Sequence, residues 1–293
     1  MKNLLPFYLL RHFRISAVDS KKDFNQDLKK AGIRFVFILI ILFTFKQNFA
    51  QTYFRSKGSG NWNNTLTWES SANAINWVNA SVTPTDINAN SITIQNGHIV
   101  TITADVTVDE VVIATGGEID LGNGVNLTIT NGSGTDFDVN GIFRMGTGIA
   151  NGAGGTVTQN AGSTMVFENG STYQHGFTST SGNIPVATWD TGATCEIVGY
   201  TSFTGTVGTG FDQNFFNFTW DCTNQTGSNG INLGGKLTTI NGDFNIINTG
   251  SGNVQLGNNS NFTTTIAGNY NQTGGTLYIV KTSQTGNVNL SGD

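Results

Sequence analysis

"SITIQNGHIVTITADVTVDEVVIATGGEIDLGNGVNLTITNG", residues 91–132, decides the fold. Val, Ile and Leu alternate with Thr, Asn and Asp in short pieces, and Gly, Asn or Asp separates one piece from the next. Alternation at period two sends one side chain to a core and the next to solvent, as in a half-buried strand. Gly, Asn and Asp tolerate the φ > 0 that a sharp bend needs. The strand-like pieces are Ile92–Ile94, Ile99–Thr103, Val106–Ile113, Glu118–Leu121 and Val125–Ile129, continuing with Phe137–Phe143, Thr156–Gln159 and Thr164–Phe167. Two-residue hairpins could join them, and "GNG" at 122–124 suits such a loop. Pieces this short and even also suit strands wound repeatedly round one axis.

Internal repeats point to the coil. "TTINGDFN" (238–245) recurs as "TTIAGNYN" (264–271), and "DVNGIF" (138–143) carries the same Gly-x-aromatic core. The interval from Gly141 to Gly242 is close to four times the offset between those two copies. Periods of roughly 20–50 residues mark stacked repeat architectures. The expected fold is all-β, a right-handed single-stranded parallel β-helix from about residue 88 to 293. At ~20–26 residues per turn it makes roughly eight to ten turns. Residues 51–87 form an aromatic-rich N-terminal cap segment, and Val112 and Ile240 are placed inward. Paired β-sandwich domains are the alternative.

Composition agrees. Gly is 38 of 293 residues and charged residues only 11%, yet the apolar share is 37%, rich in strand formers, which argues for a turn-rich fold over disorder. Pro, which removes ladder donors, occurs three times. Nine of the 14 basic side chains lie in the first 50 residues, with three acidic ones; residues 51–293 therefore carry a net charge of −11. So acidic a body does not suit nucleic acid.

The N-terminal imbalance has a separate reading. Behind a basic stretch ending at Arg34, an apolar run Phe35–Phe45 leads to "KQNFAQ", with Ala50 placed for cleavage before Gln51. A positive region, a short apolar run and a small-residue exit describe a secretory signal. Residues 1–50 are therefore read as a signal peptide region, and an over-extended start would account for its length. Lys46 interrupts the run too early for a membrane span of ~20 residues, so membrane contact is expected only through the export signal.

Five stretches, "YFRSKGSGNWNNTLTWES" (53–70), "ITIQNGHIVTITADVTVDEVVI" (92–113), "ATWDTGATCEIVGYTSFTG" (187–205), "NFFNFTWDC" (214–222) and "LTTINGDFNI" (237–246), resemble the secreted surface proteins of the Bacteroidota. Trp68, Pro84, Asp86 and "ITIQNGHIV" are similar to a G8-like module. The resemblance covers nearly all of residues 52–293. It implies a β-helical extracellular region, often part of a larger protein exported by the type IX pathway, with further C-terminal modules beyond residue 293.

Residues suited to chemistry are few. Cys195 and Cys222, each after a Trp-Asp, are spaced close to one repeat, which would set them on adjacent turns as a disulfide or as two stacked thiols. Asp136 and Asp138, read onto one face of a strand, form a weak Ca²⁺ candidate pair. His98 and His175 are isolated and make no zinc cluster. Arg144 is the basic residue nearest that acidic pair. Trp62, Trp68 and Trp77 either stack on sugars or close the open end of the coil, the second being favoured because they sit where a cap is needed.

The expectation is a non-catalytic extracellular stalk or adhesin-like region of a secreted or cell-surface protein, without cofactor. An extracellular polysaccharide or cell-surface glycan is the partner that fits. The alternative is a polysaccharide-binding or polysaccharide-cleaving β-helix enzyme, distinguished by clustered carboxylates around Arg144 in a groove.

Overall fold

The computed structural model describes residues 52–146, 154–227, 230–258 and 261–292. The expected export segment, residues 1–50, lies outside them, and no helix among the described residues is long and apolar enough to cross a membrane.

The chain enters through β1 (Thr52–Ser56), β2 (Gly60–Asn61), a 3₁₀ turn at Thr65–Thr67, β3 (Trp68–Ser71) and β4 (Val78–Asn79). It then coils, laying one strand on each of three faces per turn. Turn one is β5 (Ala89–Ile94), β6 (Ile99–Ile102) and β7 (Val106–Val108). Turn two is β8 (Val111–Ile113), β9 (Glu118–Leu121) and β10 (Asn126–Ile129). Turn three is β11 (Phe137–Val139), β12 (Ile142–Met145) and β13 (Thr156–Gln159). Turn four has β14 (Met165–Phe167) and β15 (Thr172–His175) but no strand on the third face. Turn five restores all three with β16 (Thr188–Trp189), β17 (Thr194–Ile197) and β18 (Gly205–Thr206). Turns six to eight are β19 (Asn214–Phe215), β20 (Asn217–Asp221), β21 (Ile231–Asn232); β22 (Thr239–Ile240), β23 (Phe244–Asn248), β24 (Val254–Gly257); and β25 (Phe262–Ile266), β26 (Tyr270–Gln272), β27 (Leu277–Val280). Strand β28 (Gly286–Leu290) opens a ninth.

Where strands of successive turns pair, they pair in parallel; the only antiparallel pairs among the described residues are β1–β3 and β3–β4. This is a parallel β-helix, and the β-sandwich alternative falls with its antiparallel sheets. The right-handed sense expected from the sequence is the one that the rule for parallel crossovers gives. Strands β1 and β2 pair with β5 and β6, so the segment read as a separate cap also supplies the first rungs of two faces.

Register explains the core. On the second face Val100, Ile119, Phe143, Tyr173, Cys195, Phe218, Phe244 and Tyr270 stack in one inward column. Rings stack on rings: Phe143 on Tyr173 at 6.2 Å, Phe218 on Phe244 at 6.0 Å and Phe244 on Tyr270 at 5.6 Å between centroids. Each fully buried Phe contributes roughly 1.5–3 kcal/mol. The turn from Val100 to Ile119 uses much less chain than the turn from Phe143 to Tyr173, so the strands stay in register while the corners absorb the difference.

Two pieces read as single strands are broken by corners. Val106–Ile113 bends at Asp109–Glu110, where Glu110 has a φ of 53°, and Phe137–Phe143 bends at Asn140–Gly141. The first bend resets the alternation. Val112 therefore faces outward between Thr93 and Asp138, while Val111 and Ile113 are buried; this corrects the inward placing of Val112. Ile240 is buried as expected. The recurrent Gly-x-aromatic is the corner between the first and second faces. Thr172 N–H donates to Gly141 O and Gly268 N–H to Gly242 O, both at 2.9 Å. A Cβ on Gly141 would strike the carbonyl oxygens of Gly117 and Ala114.

The faces differ in continuity. The second is one nine-stranded sheet from β2 to β26. The first stops at β16 and resumes as β19-β22-β25-β28; the third stops at β13 and resumes as β18-β21-β24-β27. Where the first face breaks, Gln213 Oε1 takes over a rung, accepting from Ala187 N–H at 2.8 Å and Trp189 Nε1–H at 3.3 Å. Where the third face breaks, the interior turns polar. His175, fully buried, accepts at Nδ1 from Tyr173 O–H at 3.1 Å and donates from Nε2 to Ser181 O at 3.0 Å, which assigns the Nε2–H tautomer. Tyr200 O–H also donates to Ser181 O. Burial pushes the His175 pKa down from 6.5 to about 4.

Candidate functional site

The outer row of the second face carries most of the ordered polar chemistry. Thr101, Asp120, Arg144, Gln174, Glu196, Thr219, Asn245 and Asn271 follow one another at one position per turn. At the repeat of ~4.8 Å between rungs, side chains on adjacent turns reach each other directly. Arg144 Nη1 pairs with Glu118 at 2.6 Å and with Asp120 at 3.5 Å, and its Nε donates to Gln174 Oε1 at 2.6 Å. Gln174 Nε2 passes the chain on to Glu196 Oε2 at 2.8 Å. Further along, Asn245 Nδ2 donates to Thr219 Oγ1 at 3.2 Å and Asn271 Nδ2 to Asn245 Oδ1 at 3.0 Å. Burial first, then a hydrogen bond with Asp120, raises the pKa of Glu118 against the opposing pull of Arg144. A carboxyl with a raised pKa beside a second carboxylate is the raw material of general acid–base work on a glycoside. Here Arg144 lies between the two and ties both to the next rung.

A second acidic group sits at the corner that breaks the strand reading. Among the described residues, Asp109, Glu110 and Asp136 bring one carboxylate oxygen each within 4.8 Å of one another, a grouping with metal-ligand chemistry. Asp136 is fully buried; its oxygens accept from the N–H of Gly132 and of Thr164, both at 2.6 Å, and from Thr164 Oγ1 at 3.0 Å. Burial pushes the Asp136 carboxyl up, but those donors outweigh it and hold the pKa below the usual value. Asp109 has the opposite lot. Its Oδ1 is buried without a donor, and burial, then Asp136, raise its pKa to about 6. Asp138, expected to share a face with Asp136, instead accepts from Asn140 Nδ2 at 3.0 Å, with Asp190 as its charged neighbour. The pairing of Asp136 with Asp138 is therefore corrected: Asp136 is held at the corner before β11, and its acidic neighbours come from the preceding turn.

The remaining candidates are structural. Cys195 and Cys222 are free and buried, not bridged. Cys195 stacks on Phe218, so the local turn is already complete at Phe218 and Cys222 falls further along the strand, too far for a disulfide. Cys222 S–H donates to Ile197 O at 3.4 Å, and burial raises both thiol pKa values. Trp62 and Trp68 lie in the core with rings 4.8 Å apart and edge-on. Their indole N–H groups donate to Pro84 O at 3.0 Å and Trp62 O at 2.7 Å. Neither presents a face to a sugar; both close the end of the coil. Trp77 is half-exposed and carries the Arg55 guanidinium over its ring at 4.2 Å, while Arg55 also pairs with Glu69 at 2.8 Å. His98 Nδ1 lies 2.8 Å from Ser56 Oγ, and no metal cluster of the described residues includes either His.

Set beside known proteins, the chain matches no family model, no curated protein and no solved structure. The sequence reading picked out Arg144 and Asp136 but missed the groups they meet: Glu118, Asp120 and Gln174 for one, Asp109 and Glu110 for the other. The signal was register, since Arg144 sits one rung above Asp120 and one rung below Gln174.

Proposed function

We propose that the chain is a non-catalytic extracellular scaffold, a stalk or adhesin-like region of a secreted or cell-surface protein, reached through the export signal read in residues 1–50. The observation that carries this reading is the outer row of the second face. Its members bond mainly to one another, from rung to rung, and so stiffen the shaft. Neutral Thr and Asn rows give solubility without strong charge, and they suit weak, repeated contact with polysaccharide hydroxyls. The resemblance to secreted surface proteins of the Bacteroidota points the same way and brings the type IX route as part of the proposal.

A second reading, a polysaccharide-cleaving enzyme, rests on one observation, the pairing of Glu118 and Asp120 with Arg144. One experiment separates them. The purified chain is applied to a glycan array, then incubated with the glycans bound and with a panel of acidic and neutral polysaccharides. Binding with no new reducing ends supports the scaffold. New reducing ends that vanish in Arg144→Gln establish the enzyme.

A further inference from the structure

The third face lacks one rung. In the β10–β13 pair, Thr156 N–H donates to Val125 O and Asn160 N–H to Ile129 O, both at 2.9 Å. In a parallel ladder the residues between them turn their N–H and C=O groups the other way. Those residues are Val157 and Gln159, and the other way is the side where turn four has no strand. Among the described residues nothing bonds their backbone groups. The chain that replaces the missing strand is tied to the turn above instead. Ile184 N–H donates to Thr209 O at 3.0 Å, Thr209 N–H to Asn183 Oδ1 at 3.0 Å, and Gln213 Nε2 to Pro185 O at 3.0 Å. His175 and Tyr200 hold it from within through Ser181 O.

Between the β13 edge and this loop lies a cleft of about 380 Å³, lined by Val157 and Gln159 of β13, by Gly182 and Ile184 of the loop, and by the buried Met145 and Phe177. None of the described residues that line it is charged. The third face resumes two turns on, at β18, so the interruption is one rung deep.

We infer that this gap is a strand-addition site for an uncharged extended peptide segment of a partner protein, which docks on the β13 edge as the missing rung. An extended backbone is the ligand whose donors and acceptors repeat at the spacing of Val157 and Gln159, and sheet edges recruit peptides in this way. The neutral lining disfavours a charged segment, because a charge placed there would lose water without gaining a partner. Side chains of the guest that point inward would land on Val157 and Gln159, continuing a column in which Val157 already stacks on Leu127. The inference goes beyond the scaffold role and does not depend on it.

The test uses the full chain and a fluorescein-labelled peptide, Thr-Val-Thr-Gln-Thr-Val, whose alternation copies β13, with anisotropy as the readout. Saturable binding is expected. Methylating every backbone nitrogen of the peptide should weaken it at least about tenfold, the effect of losing one or two ladder bonds. Val157→Pro removes the gap-facing N–H at an unpaired edge position, where proline is tolerated, and should weaken binding similarly with an unchanged far-UV CD spectrum. The inference is overturned if the peptide fails to saturate at about 1 mM. It is equally overturned if the methylated peptide binds as well, or if cellohexaose binds the chain and displaces the peptide. The methylated peptide leaves the protein intact, so that arm decides the matter even if the proline variant does not fold.

Discussion

Acid should loosen the coil at turn four, and His175 is the group that makes this measurable. The unfolded chain takes up a proton on this side chain near 6.5, the folded one only at about 4. Between those values the unfolded state binds more protons, so this contribution is complete above pH 6.5 and is lost as pH falls toward 4. Integrating the difference from pH 7.5 to 4.5 gives a loss of about 2.5 kcal/mol. Carboxylates titrate in the same window, and Asp109 works in the opposite sense, so wild type must be read against His175→Phe. That replacement keeps an aromatic ring, and Tyr200 O–H still satisfies Ser181 O. Tyr173 O–H keeps Asn183 O at 3.4 Å as an acceptor. Urea unfolding at the two pH values, followed by the fluorescence of Trp189 and Trp220, gives both free energies. Wild type should lose about 2.5 kcal/mol more than the variant on acidification. Equal losses would refute the argument, because the imidazole would then not be buried in its neutral form.

Replacing Gly141 by Ala drives a methyl into two carbonyl oxygens of the preceding turn and should cost about 3 kcal/mol, whereas Gly58→Ala, in open space, should stay within about 0.5 kcal/mol; urea midpoints compare them. Asp109→Asn supplies Asp136 with an amide donor in place of a repelling carboxylate. Because the raised Asp109 pKa penalises the folded state only above the unfolded value, the variant should gain about 1–2 kcal/mol at pH 7.5 after allowance for partial exposure, and the gain should shrink by pH 4.5 in thermal melts. Ile240→Asp buries an unpaired charge and should cost at least about 3 kcal/mol, while Val112→Asp on the outer row should cost about 1 kcal/mol or less; a reversed order in chemical denaturation would show the inward column misassigned. Without reductant, thiol titration should count no reactive sulfhydryl in the native chain and both Cys195 and Cys222 after denaturation; none after denaturation would mean that they are bridged.

The repeat was legible where the chain states it twice: "TTINGDFN" and "TTIAGNYN" occupy equivalent positions on adjacent rungs, Thr239 on Thr265 and Asn245 on Asn271. Pieces such as Ile92–Ile94, Glu118–Leu121 and Thr156–Gln159 were legible because a Gly or Asn lies close on each side. The Asp109–Glu110 corner was not. β-Branched residues continue past it on both sides, and the left-handed φ falls on Glu110, which is no turn signal, and not on the neighbouring Asp109. The cysteines show the other limit. Their spacing nearly matched the repeat seen around residue 240, but turns differ in length, and the turn that starts at Cys195 closes early, at Phe218. A sequence period is an average over corners, whereas a contact depends on the local count. The same applies to Arg144, whose partners Asp120 and Gln174 lie at unequal intervals before and after it and share no motif with it.

The unequal continuity of the three faces bears on how the coil would carry tension. Only the second face is hydrogen-bonded without interruption from β2 to β26, so a pull along the axis loads that sheet as the spine while the other two faces share the load in sections. In a parallel coil the axial direction is the direction of the ladder bonds, which then yield rung by rung instead of shearing together. The joint between turns three and five is the mechanical fuse. There the third face has no rung, and just above it the first face is bridged by the side chain of Gln213 in place of a backbone pair. Stretching in a force spectrometer should open the shaft there first and leave two shorter coils.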